Sequence, residues 1–138
     1  MKEILIKIKS EMENIQNMRN MIQALVANKN QTLTFINELK TIVSEGITNA
    51  IIHGYDEKDD MDIDLKIKMN EDGIYIIIED YGKGIKDVNQ AREVLFTTMK
   101  TQDRSGLGFT IMELFSTNFL VESELGKGTR LTIYKAFE

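Results

Sequence analysis

"SEGITNAIIHGY", residues 44–55, has the spacing of a helix without the composition of a plain amphipathic one. Glu45, Asn49 and His53 recur every fourth residue, so a helix presents them as a stripe. His53 is also the only histidine in the chain. Gly46 falls inside the same helix, where glycine costs roughly 1 kcal/mol relative to alanine. A bound molecule or a facing element that leaves no room for a side chain would account for that cost.

Working outward, the apolar period extends this helix over residues 32–52, with Leu39, Ile42, Val43, Gly46, Ile47 and Ala50 on its core face. Glu45 and Asn49 lie along one flank of that face, at the rim of a cleft. Upstream, "EILIKIK" (3–9) alternates as a half-buried strand does. Met12, Ile15, Met18, Ile22, Leu25 and Val26 then keep helical spacing until residues 28–31 break it. Downstream, "DEKDD" reads as a solvated loop. "DIDLKIKM" (62–69) and "GIYIIIED" (73–80) form a hairpin turning at "NEDG". The second of these strands is apolar almost throughout, so it belongs at the centre of a sheet. A glycine-bearing, weakly periodic stretch follows, with a short helical piece at 88–95. A helix over 107–115 precedes a last strand pair joined by "LGKG". This order predicts an α+β fold in two layers, one antiparallel or mixed sheet with helices on one face, in a single domain spanning 1–138.

The chain has 138 residues, enough for one continuous core. No apolar run approaches the roughly 20 residues of a transmembrane helix. The opening residues lack a signal peptide's apolar block, so a cytoplasmic protein is expected. Zero cysteine excludes disulfides and thiolate metal sites. A net charge of −5 without a basic cluster argues against direct nucleic-acid binding.

Three G-x-G pairs occur, at Gly82/Gly84, Gly106/Gly108 and Gly126/Gly128. Average glycine usage gives roughly 0.6 such pairs by chance in this length, so three at predicted element ends carry information. In "EDYGKGI", Asp80 ends a buried strand. Its carboxylate can accept a hydrogen bond from an exocyclic amine, while the glycines admit a flat ligand close to the backbone. The same residues also suit a tight turn capped by an aspartate. "RSGLGF" runs into a helix whose first N–H groups suit a phosphate, and it equally suits an ordinary loop capped by Ser105. Lys100 and Arg104 supply cations in that loop. Asn49 offers a neutral oxygen suited to Mg²⁺, and Glu45, one turn earlier, is placed to act as a general base. Either residue alone also fits a solvated helix flank. His53 is expected to be a hydrogen-bonding group behind the site. With no second histidine or cysteine nearby, zinc is not expected.

Taken in this order, the pieces resemble the Bergerat ATP-binding fold of gyrase, Hsp90, MutL and histidine-kinase catalytic domains. "SEGITNAIIHGY", "LFTT", "RSGLGFTIME" and "GKGT" are most similar to the anti-sigma F family of sporulation serine protein kinases, over residues 35–132. The resemblance implies ATP or ADP with Mg²⁺ as cofactors, Glu45 as catalytic base and Asn49 as magnesium ligand. It implies that Asp80 reads the adenine amino group, that Gly82 and Gly84 shape the base pocket, and that Thr129 lies on the adenine side. Gly106, Leu107, Gly108 and Phe109 would lie against the phosphates under a mobile lid containing Thr97, Thr98, Lys100, Arg104 and Ser105. Arg104 matches an arginine at the γ-phosphate and partner surface. One departure stands out: "FTTMK" replaces the family's "FTTKP", so Met99 intervenes and Lys100 is displaced by one.

The partners implied are a sigma factor, an anti-anti-sigma protein phosphorylated on serine, and a second copy of the chain, paired through residues 1–30. No membrane or direct nucleic-acid contact is expected. Two other readings compete. One is the same chemistry in an anti-sigma B type stress pathway. The other is a nucleotide-gated binding module without catalysis, which would have no need of Glu45.

Overall fold

The computed structural model describes residues 2–91 and 107–138. The chain opens with strand β1 (Lys2–Lys9) and helices α1 (Glu13–Leu25) and α2 (Leu33–Asn49). A single π-helical turn (Ala50–Gly54) follows α2 without a break, where the sequence predicts one continuous helix to residue 52. Next come β2 (Asp62–Met69), β3 (Gly73–Asp80) and the short helix α3 (Val88–Ala91). After residue 106 the chain forms α4 (Gly108–Phe115), β4 (Asn118–Glu124) and β5 (Gly128–Ala136).

The strands form one sheet in the order β1-β2-β3-β5-β4, with every neighbouring pair antiparallel, which resolves the antiparallel-or-mixed expectation. β3 is central, as its apolar run predicts. Period-two alternation sets the two faces. Ile63, Leu65 and Ile67 of β2, Ile74, Ile76 and Ile78 of β3, and Leu131 and Ile133 of β5 are all buried on the helix side. Leu5, Tyr75 and Leu120 alternate out to the opposite, open face. At the β2–β3 turn, Asn70 Oδ1 accepts from the Asp72 and Gly73 amides, at 2.8 and 3.0 Å.

Helix α2 is the central element of the helical layer. Thr32 caps it by accepting from the Phe35 amide at 3.0 Å. Phe35, Leu39, Ile42, Val43 and Ile47 are fully buried along it, each worth roughly 1.5–3 kcal/mol of burial. Gly46 is where α2 meets the sheet. A Cβ there would lie 2.4 Å from Ile78 Cδ1 and 3.7 Å from Leu131 Cδ1. Of the two explanations open to the sequence, a bound molecule or a facing element, the facing sheet is the one observed.

Lys135 on β5 is buried, and its ammonium donates to Glu38 at 3.0 Å and to the Phe115 carbonyl at 2.6 Å. Its charge therefore sits at the C-terminal end of α4, the favourable end of that helix. This contact ties α4 to α2 and β5, and so helps set where the other end of α4 points.

Candidate functional site

Asp80 ends β3 with only 3% of its surface exposed. Burial pushes its carboxyl up to about 6, a rise that backbone hydrogen bonds from Gly82 and Thr129 partly offset. The Gly82 amide donates to Asp80 Oδ1 at 2.9 Å. The space around the carboxyl exists because neighbouring segments lack side chains. A Cβ on Gly54 would lie 2.8–2.9 Å from three atoms of the carboxyl group. A Cβ on Gly128, whose φ is +122°, would lie 2.1 Å from the Asp80 carbonyl oxygen. At Gly82 the neighbour is the Gly54 carbonyl oxygen, 2.0 Å away, and at Gly84 (φ +76°) it is the Glu124 carbonyl oxygen, at 2.1 Å. At both positions of this G-x-G pair the demand for glycine comes from backbone packing on backbone.

The π turn explains how Gly54 reaches Asp80. A π turn takes more residues than an α turn. Here the Tyr55 amide bonds to the Ala50 carbonyl at 2.9 Å, and the Gly54 carbonyl is left to accept from the Lys83 amide at 3.0 Å. The same turn ends the α-helical recurrence that aligns Glu45 with Asn49, so spacing alone no longer fixes where His53 points. Tyr55, directly after the turn, is buried. Its hydroxyl donates to the Asp62 carbonyl and accepts from the Tyr81 amide at 2.7 Å, which holds the chain just after Asp80.

A second cluster lies on β5 and β4. Thr129 is buried directly across the ladder from Asp80. Its Oγ1 is 2.8 Å from the Ser123 hydroxyl, which accepts from the Ile85 amide at 2.7 Å and donates to the Gly128 carbonyl at 3.0 Å. Asp80, Ser123, Gly128 and Thr129 share a shallow cavity of about 300 Å³.

The third cluster is at the end of α2. Glu45 is half-buried, and a Cβ on Gly108 would lie 3.0 Å from Glu45 Oε2. The carboxylate therefore lies against the N-terminal end of α4, where the helix favours negative charge. Asn49 is 9% exposed, and its side chain makes no hydrogen bond among the described residues. Phe109 is 5% exposed with its ring 5.9 Å from that of Phe119, so the ring is packed inside the protein and is not available to a ligand. Leu107 is exposed. Thr97, Thr98, Lys100, Arg104, Ser105 and Gly106 lie outside the described residues.

Sequence reasoning missed Gly54, Ser123 and Tyr55 as parts of this region, and gave Gly128 no role. Gly54 and Gly128 carry some signal, being glycines at element ends. Ser123 and Tyr55 carry none, because a serine in an alternating strand and a tyrosine after a helix are both ordinary.

Residues 8–135 match the family model for the histidine kinase-like ATPase domain. The chain is 42% identical to the anti-sigma F factor of Clostridium beijerinckii, covering 96% of this chain and 92% of that protein. It is 38% identical to the anti-sigma F factor of Geobacillus stearothermophilus, over 98% and 92%. Among solved structures it resembles the histidine kinase domain of a blue-light activated histidine kinase from Erythrobacter litoralis, at TM-score 0.59 and 16% identity. That likeness covers 94% of this chain and 62% of the other, and it speaks to the fold alone. With its fold, its motifs and near full-length relatives in agreement, the chain belongs to the histidine kinase-like ATPase family, in the anti-sigma F branch.

Proposed function

We propose that the chain is an ATP-dependent serine protein kinase that also holds a sporulation sigma factor inactive. Its phosphoryl acceptor would be a serine of an anti-anti-sigma protein, and it would act as a homodimer. The observation that carries the kinase reading is Glu45 placed against Gly108 at the start of α4, one helical turn before Asn49. A base there can take the acceptor hydroxyl proton as the serine oxygen attacks the γ-phosphorus and ADP leaves. Asp80 would accept from the adenine amino group, its ionised form being the better acceptor. A bound Mg²⁺ would neutralise phosphate charge. Asn49 fits it as a ligand: nearly buried, neutral, and with its oxygen uncommitted among the described residues.

The relatives' name is the support for a sigma-factor partner. Retention of Glu45 favours the catalytic reading over a purely nucleotide-gated binding module, since binding alone needs no base.

Glu45→Ala tests this directly. ATP affinity by calorimetry should stay within a few fold, while phosphoryl transfer to the anti-anti-sigma protein falls by about 100-fold or more. Transfer at the normal rate would leave the binding-module reading standing instead.

A further inference from the structure

The Ser123 hydroxyl has three neighbours and a single proton. The Ile85 amide can only donate to it, and the Gly128 carbonyl can only accept from it, at 2.7 and 3.0 Å. Its proton is thereby used. The remaining contact, 2.8 Å to Thr129 Oγ1, is satisfied only if Thr129 is the donor. Thr129 then has no proton left for a ligand, and toward the cavity it lines its oxygen can act only as an acceptor.

Asp80 lies directly across the ladder from Thr129, and both are buried on the helix side of the sheet. Opposed residues in an antiparallel pair have Cβ atoms about 4.5–5.5 Å apart. An amino nitrogen that donates both hydrogens, about 120° apart and each to an oxygen about 2.9 Å away, needs acceptors about 5 Å apart. Acceptors on side chains paired this closely on one face can converge on the two hydrogens of one primary amino group.

We propose that Ser123 is a positioning residue for base selectivity. By taking the Thr129 proton it makes Asp80 and Thr129 a pair of acceptors that selects a 6-amino purine over a 6-oxo purine. This rests on the nucleotide-binding reading above. A 6-oxo group brings a third oxygen to two acceptors, whereas the 6-amino group satisfies both. Ser123 touches no ligand itself. Without it the Thr129 hydroxyl is free to rotate and to donate, so an oxo group becomes acceptable.

The test is calorimetric titration of the full chain with ADP and with inosine diphosphate. Wild type should favour ADP by roughly tenfold or more. Ser123→Ala should reduce that ratio several-fold, mainly by improved inosine diphosphate binding. Ser123→Cys keeps the volume with a weak hydrogen-bonding group, so it should move the ratio the same way if the alanine variant does not fold. In a Thr129→Val background, removing Ser123 should leave the ratio where Thr129→Val alone puts it. A merely structural role, through the lost Ile85 contact, would weaken both nucleotides alike and leave the ratio untouched. An unchanged ratio in the Ser123 variants overturns the proposal. A wild-type chain that binds neither nucleotide overturns the nucleotide reading itself, a distinguishable outcome.

Discussion

At the scale of single residues, Asp80 carries a stability cost that the adenine-binding role proposed above would explain. Its folded-state value of about 6 lies above the ordinary 3.8, with burial the main cause. Between those values the native chain holds a proton that the unfolded chain has released, so stability falls as pH rises from about 4 to about 6. Above 6 the full cost of a buried carboxylate stands. Asp80→Asn removes the charge, so it should stabilise the protein at pH 8 by roughly 1–2 kcal/mol, less than the shift alone implies because the amide has one oxygen for two backbone donors. The gain should vanish below pH 4, and adenine-nucleotide affinity should drop. Thermal unfolding of both proteins from pH 4 to 8 checks this, and parallel curves would refute it. Asp80, Glu45 and Asn49 were legible in the sequence because each is a polar residue interrupting an apolar period. Gly54 and Tyr55 were not, because their contacts are with residues 26 to 28 positions away, and Ser123 was not, because a serine in an alternating strand gives no sign of the Ile85 amide, 38 positions away, that it accepts from.

At the scale of elements, hydrophobic period located the strands and helices well, since each apolar stripe has one sheet face or helix layer to meet. The π turn was illegible for the opposite reason. "AIIHG" continues the apolar run, and the looser turn is favoured by the Gly54 backbone packing on Gly82 rather than by any local preference. Gly46 shows the same dependence on a distant partner. Gly46→Ala should gain helix propensity of roughly 1 kcal/mol yet lose more by overpacking, for a net loss of about 1–2 kcal/mol. The clash is with one atom, Ile78 Cδ1, at 2.4 Å. Ile78→Val removes that atom at a cost of about 0.5–1.5 kcal/mol on its own. The double variant should therefore be more stable than the sum of the two losses predicts. Urea denaturation of the four proteins gives the coupling energy, and strict additivity would mean that Gly46 is required for some other reason.

At the scale of the whole molecule, the sheet has two edges, and β1 is one of them. It is eight residues long and carries Leu5, 67% exposed, while Met12 just beyond it is 57% exposed. The start of β1 and the end of α1 flank a groove of about 1000 Å³ lined by Ile4, Leu25, Ile67 and Met69. A long edge strand beside uncovered apolar surface invites pairing unless something covers it. The alternating lysines on β1 limit indiscriminate pairing, but they leave the apolar residues between them available. A second protein surface is the kind of cover that such an edge takes. The homodimer proposed above would supply one through this N-terminal region. Sedimentation equilibrium at micromolar concentration should then give twice the chain mass. Ile4→Lys places a charge on the strand's groove-lining face at the sheet edge, where it is only half-buried within one chain. It should shift the protein to monomer while circular dichroism stays unchanged, because a lysine can reach solvent from an open edge but not from a closed interface. A wild-type monomer, or an Ile4→Lys dimer of normal strength, would put the interface elsewhere.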